Sequence, residues 1–183
     1  VRAIPEQVSL FIPQDISNSL NALSKWPISI QETPYKEAIC HLTTIIPEKI
    51  AKFHAREIAN ALNALSKWPI SIHEPPYQAA IQALVRTIPE QATLFIPQGI
   101  NNSLNALSKW PISVHETPYQ EAIHSLMATI LKQVNTFSMR DIAGMLNALS
   151  KWPISTHASP YQETIQALVR AIPQQVKLFT AQN

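Results

Sequence analysis

The string LNALSKWPIS at residues 20–29 returns unchanged at 62–71, 104–113 and 146–155, so that Trp26, Trp68, Trp110 and Trp152 stand 42 residues apart. Self-similarity at a fixed period of this length marks stacked supersecondary units, each too small to bury its own apolar face. Outside the string the copying continues, because VRAIPEQVSLF at 1–11 matches VRAIPQQVKLF at 169–179. The chain begins late in one unit and stops late in another, and with no initiator Met it reads as a piece of a longer array. The expected divisions are a partial repeat 1–10, repeats at about 11–52, 53–94, 95–136 and 137–178, and a tail 179–183.

Within the unit from Phe11 to Lys52, Pro13 suits the first position of a helix, where its missing N–H is no loss. Ile16, Leu20 and Leu23 then recur at helical spacing, Ala22 lets a neighbour approach closely, and Pro27 stops the segment after Trp26. The prediction is a helix A over Pro13 to Trp26, followed by a loop to Thr33. Thr33 and Pro34 read as an N-cap and a first-turn proline, and Thr117 with Gln120, like Ser159 with Gln162, has capping-box spacing. Helix B follows, with Tyr35, Ile39, Leu42, Ile46 and Ile50 on one face. Pro47 should kink a helix B that runs to about residue 51, or break it and leave a short extra turn, although Leu131 in the third unit shows that the proline is dispensable. Two amphipathic helices joined by a short loop make an αα-hairpin. The expected fold is therefore all-α: an α-solenoid, a right-handed superhelix of stacked two-helix 42-residue repeats. Core packing accounts for the Leu, Ile, Ala and Trp positions of this pattern.

The composition agrees. The chain is 46% hydrophobic, and its two glycines argue against a turn-rich β fold. Its fifteen prolines mostly recur at fixed offsets as punctuation. Cys40 is the single cysteine, so no intrachain disulfide exists. No apolar run approaches the roughly 18 residues that span a bilayer. The net charge of +2 is too small to indicate nucleic-acid binding by itself, so any electrostatic case rests on where the charges lie.

Helix A also carries a polar stripe at i, i+4, i+7, i+11. It comprises Gln14, Asn18, Asn21 and Lys25, then Arg56, Asn60, Asn63 and Lys67 in the second unit. In the third unit it is Gln98, Asn102, Asn105 and Lys109, and in the fourth Arg140, Gly144, Asn147 and Lys151. Asn is a poor residue for a helix interior, so its repetition asks for a reason. Aligned A helices about 8–10 Å apart would merge the stripes into a ribbon with amides along its middle and cations at its ends. Asn can pair with a base edge, and Lys or Arg can hold phosphate. Asn18, Asn60, Asn102, Asn21, Asn63, Asn105 and Asn147 are the candidate base contacts. Lys25, Lys67, Lys109, Lys151, Arg56 and Arg140 are the candidate phosphate contacts. Asn21 and its copies could instead be structural, bonding a carbonyl of the neighbouring unit, and the lysines could form a solvated face. Asn18, Asn60 and Asn102 are the stronger readers, because Gly144 departs there and the adjacent positions Ser17, Ala59, Asn101 and Ala143 also vary.

The run PQDISNSLNALSKWP, preceded by Phe11 and followed by PYKEAICHL, resembles octotricopeptide repeat proteins in its Phe-x-Pro-Gln opening and its LNALSK core. The resemblance implies an RNA-binding α-solenoid whose helix A polar positions face single-stranded RNA. It also implies an intracellular setting, in an organelle or a bacterial cytoplasm. The unit is a few residues longer than that family's usual repeat, and its copies are unusually alike. Recent duplication alone would also explain copies this similar.

Other chemistry finds little support. His73, His115 and His157 recur in the A–B loops, but copies on adjacent units cannot converge within about 2 Å of one metal ion. Glu6, Glu48 and Glu90 read as first-turn acids near a helix N-terminus. No phosphate loop or catalytic constellation is present, so neither an enzyme, a cofactor, a metal nor a small-molecule substrate is expected. The leading expectation is sequence-selective binding of single-stranded RNA on the concave face of the A helices, about one base per repeat. The alternative is a scaffold holding a peptide or partner domain on that face.

Overall fold

The computed structural model describes residues 3–26, 32–68, 74–110, 117–152 and 159–181, with side chains through 173. The described residues are all-helical, without a strand. The short helix α1 (Ile4–Gln7) precedes four A helices, α2 (Pro13–Leu23), α4 (Ala55–Leu65), α6 (Pro97–Leu107) and α8 (Met139–Leu149). The B helices are α3 (Thr33–Lys49), α5 (Pro75–Gln91), α7 (Thr117–Gln133) and α9 (Tyr161–Ala181). Short 3-10 turns, Ile50–Lys52, Ala92–Leu94 and Val134–Thr136, lead from a B helix to the next A helix.

Each A helix packs on the A helix one unit further on: α2 on α4, α4 on α6 and α6 on α8. The B helices repeat this from α1 to α3, α5, α7 and α9, and each A helix also touches the B helix that follows it. Between these rows lies one continuous apolar cluster. It takes Ile58, Leu62 and Leu65 from α4 and Ile81, Leu84 and Ile88 from α5, with their counterparts in the other units. Phe53, Phe95 and Phe137 are at most 2% exposed and follow the 3-10 turns in extended backbone, plugging the junctions between units. Gln91, the last residue of α5, donates through Nε2 to the Phe53 carbonyl at 2.6 Å and ties one junction to the next.

A second tie runs within the hairpin. The Tyr77 hydroxyl donates to the carbonyl of Leu65, the last residue of α4, and Tyr161 does the same for Leu149, the last residue of α8. The final carbonyls of a helix have no partner inside it, and these phenols join the Trp68 and Trp152 N–H groups, at 3.4 and 3.1 Å, in supplying one. Burial pushes the Tyr77 pKa well up, with a smaller opposing pull from the Trp110 side chain. Burial raises that of Tyr161 as well.

Several expectations change. Helix A ends at Leu23 rather than Trp26. Ser24 closes it early, its Oγ donating to the Asn21 carbonyl at 2.8 Å, while Lys25 N–H bonds to Ala22 in a tightened turn. Thr33 is the first helical residue rather than the cap. Glu32 occupies the cap position without a side-chain hydrogen bond. Thr117 likewise begins α7, and Ser159 donates to Glu163 at 2.9 Å instead of closing a box with Gln162. The capping box that forms is at Ser138, where Asp141 Oδ2 accepts from the Ser138 N–H at 3.0 Å and Ser138 Oγ accepts from the Asp141 N–H at 3.3 Å.

Helix B ends close to the expected place, since α3 runs to Lys49 and the short 3-10 turn Ile50–Lys52 follows; Pro47 and Pro89 do not shorten their helices, as α3, α5 and α7 all run 17 residues although α7 has Leu131 at that position. Each proline removes one i→i−4 hydrogen bond from the last turns of its helix, and the helix runs on through it. Because helix B continues through it, Glu48 and Glu90 lie in the last turn of α3 and α5, not at an N-terminus. Ala22 is exposed, whereas Ala64, Ala106 and Ala148 are fully buried, and Trp26 is 51% exposed against 9% for Trp110 and Trp152. Among the described residues no helix is long and apolar enough to cross a membrane. His73, His115 and His157, and most of the A–B loops, lie outside the described residues.

Candidate functional site

None of the stripe residues is buried. Asn18 and Asn147 are exposed, while Asn21, Asn60, Asn63, Asn102 and Asn105 are half-buried at the meeting lines of the A helices. Leucines and isoleucines at i, i+4 and i+7 turn one side of each A helix to the core and leave this side to solvent.

The Asn21 series has a backbone task. The carbonyls of Asn21, Asn63, Asn105 and Asn147 accept from Ser24, Ser66, Ser108 and Ser150 at 2.8–3.0 Å. This bond uses the main chain and would form with other residues at that position. It does not require the amide. The side chains of Asn21, Asn63 and Asn147 bond to no other described residue, so the expected alternative, an amide held by a neighbouring carbonyl, is not what the described residues show. Asn105 differs, because its Oδ1 accepts from Lys151 Nζ, one unit on, at 3.0 Å.

The lysines form a line. The ammonium pKa of Lys67 is lowered, first by partial burial and then by Lys25 and Lys109, which flank it from the units on either side. Three cations from three successive units are thus close enough to repel one another, an arrangement that a polyanion would relieve. Lys151 is drawn to Asn105 at the end of this line. The opposite end of the stripe is weaker in charge. Gln14 and Gln98 are neutral, and the Arg56 guanidinium meets Glu57 at 3.1 Å, the one ion pair among the described residues. Arg140 is exposed.

Between α4 and α6 the stripe opens into a cleft of about 320 Å³. Arg56, Asn60, Gln98 and Asn102 supply its polar groups, Ala59, Phe95 and Gly99 its floor, and Leu94 and Ile96 its apolar rim. Asp15, Glu57 and Asp141 hold the position that Gly99 fills in the third unit, so the absent side chain leaves room there. A Cβ on Gly99 would meet only ordinary contacts, Phe95 Cδ1 at 3.4 Å and Ala59 Cβ at 3.6 Å. The apolar rim was not anticipated. Leu94 and Ile96 are 66% and 60% exposed, and Leu10 and Ile12, two units earlier, are similarly open. The available signal was the Leu-Phe-Ile triplet at 10–12 and 94–96, which units two and four replace with Lys-Phe-His and Thr-Phe-Ser.

The site thus offers amide donors and acceptors beside small apolar surfaces, with a cationic line along one border. Compared with models of known protein families, with curated proteins and with solved structures, the chain shows no match.

Proposed function

We propose that the chain is an α-solenoid, a right-handed superhelix of stacked 42-residue units, that binds single-stranded RNA along the concave face formed by its A helices. About one base falls to each unit. The observation that carries this reading is the Lys25–Lys67–Lys109 line running beside half-buried amides from successive A helices. A strand crossing the stack would lay phosphates along the lysines and turn its bases toward Asn18, Asn60 and Asn102. There an amide offers one donor and one acceptor to a base edge. The cleft between α4 and α6, with its polar wall of Asn60, Asn102 and Gln98 and its apolar rim, has the mixed character that a nucleobase presents.

Selection from a randomised pool of single-stranded RNA tests the reading. Asn60→Ala should weaken binding to some sequences more than others, whereas Lys67→Ala should weaken all alike. Equal losses across sequences from both variants would remove Asn60 as a base contact. Failure of the wild-type chain to retain RNA at low salt would remove the proposal.

The exposed apolar pairs Leu10 with Ile12 and Leu94 with Ile96 favour a second reading, a peptide-binding scaffold. Its mark would be retention of apolar peptides that is indifferent to salt and lost in Ile96→Asp.

A further inference from the structure

Gly144 stands where the three preceding units carry Asn18, Asn60 and Asn102, and it looks like a lost contact position. Its backbone gives no reason for glycine, since it lies inside α8 and no glycine among the described residues has a positive φ. Glycine in a helix interior weakens the helix, so its benefit must come from the missing Cβ. The neighbouring helix explains it. A Cβ on Gly144 would lie 2.8 Å from Cγ and 2.9 Å from Oδ1 of Asn101 on α6, far inside van der Waals contact. The Asn101 amide occupies the space that a side chain at 144 would take.

The other junctions show the reverse arrangement. At the position of Asn101 the first two units carry Ser17 and Ala59, which are 1% and 2% exposed. The units that follow them carry the half-buried amides Asn60 and Asn102. Where the earlier helix has a small residue, the later helix supplies the amide. Where the earlier helix has Asn101, the later helix has glycine. Of these two paired positions, one at each junction carries the amide, and Asn101, which is half-buried, takes the space that Gly144 leaves open.

We infer that Asn101 replaces residue 144 as the amide of the junction between α6 and α8, and that it is a base-contacting, specificity-determining residue for single-stranded RNA. The ligand half of this inference rests on the function proposed above; the packing half does not. The third unit then presents two adjacent amides, Asn101 and Asn102, and the fourth presents none at this height of the stripe. An amide issuing from the earlier helix approaches a base from the other side of the junction, so its base preference should differ from that at the Asn60 and Asn102 junctions.

Two measurements separate the halves. Gly144→Ala is placed in the wild-type chain and in Asn101→Ala, and thermal unfolding is followed. Helix propensity favours alanine in both backgrounds, but in the wild type the Asn101 amide must turn aside to admit the new Cβ. The expected result is a rise in the unfolding midpoint in the Asn101→Ala background and a smaller rise, none, or a fall in the wild type. Equal rises in both would overturn the exchange of space. Separately, bound sequences are selected from a randomised single-stranded RNA pool with the wild type, Asn101→Ala and the Asn101→Ala/Gly144→Asn pair. The first variant should lose the base preference at one position of the selected motif, and the pair should recover a preference there. A wild-type motif that Asn101→Ala leaves unchanged at every position would overturn Asn101 as a base contact. Absence of any selected RNA with the wild type would overturn the proposed function and the ligand half with it, while the unfolding comparison still decides the packing half.

Discussion

Replacing Tyr77 with Phe tests how the two helices of a unit are fastened together. The change keeps the buried ring and removes only the hydroxyl that donates to Leu65 at the end of α4. That carbonyl, on a fully buried Leu65, keeps only the long bond from the Trp68 N–H at 3.4 Å. Losing one of its two hydrogen bonds costs about 0.5–1.5 kcal/mol, and no large cavity adds to this because the ring remains. A urea titration followed by circular dichroism should show the midpoint falling by roughly 0.2–0.7 M with an unchanged slope, taking m as about 2–3 kcal/mol per M. Alkaline pH supplies a second reading. Burial raises the Tyr77 pKa in the folded chain, so its contribution is intact below the ordinary phenol value of about 10. It is lost as pH rises above that value, because the unfolded chain ionises first. The wild type should therefore lose stability above pH ~10 more steeply than Tyr77→Phe, by up to about 1.4 kcal/mol per pH unit. A midpoint shift of only a few hundredths of a molar, with parallel alkaline curves, would refute the claim that this hydroxyl closes the helix end.

Other perturbations probe separate parts of the account. Ser138→Ala breaks the capping box with Asp141 and should lower stability by about 0.5–2 kcal/mol in denaturant unfolding, while Ser159→Ala, whose hydroxyl bonds only a side chain, should have a smaller effect. Pro89→Leu copies the third unit's Leu131 into α5 and should raise the unfolding free energy by about 1–2 kcal/mol, since the helix already runs through that residue. Lys67→Gln should raise the melting temperature at low salt and much less at high salt, because Lys25 and Lys109 disfavour its charge. As the Lys67 pKa is lowered on folding, the charged form opposes folding at neutral pH, and this opposition fades as pH rises through the lowered value and is gone above the ordinary ammonium value.

Much of this fold is legible in the chain because the repeat places the same residue types at the same helical offsets. Ile16, Leu20 and Leu23, with their copies, define the buried side of helix A by spacing alone, and the stripe follows as its complement. What the period conceals is anything that depends on a partner in another unit. Gly144 reads as a departure until Asn101 is seen in its space. Lys151 reads like the other lysines until it meets Asn105. The end of helix A lies earlier than Pro27 suggests for a local reason: Ser24 closes it through the Asn21 carbonyl before the proline is reached. The end of helix B lies close to where the spacing places it, with the helix running through Pro47 to Lys49 and one 3-10 turn beyond. The buried caps by Tyr77 and Tyr161 could not be foreseen, because spacing of 12 residues across a loop carries no sign of where the chain returns.

The lysine line and the amides beside it stand or fall together on one measurement. The affinity of the chain for pooled single-stranded RNA is followed as a function of salt, for the wild type and for the triple variant Lys25→Ala/Lys67→Ala/Lys109→Ala. Each phosphate contact on a single strand contributes a slope of about 0.7 in the logarithmic salt plot, so three lysines account for about 2. The account predicts binding that weakens steeply with salt and a slope shallower by about 2 in the triple variant. No RNA binding at low salt, or a slope that the triple variant leaves unchanged, would contradict it.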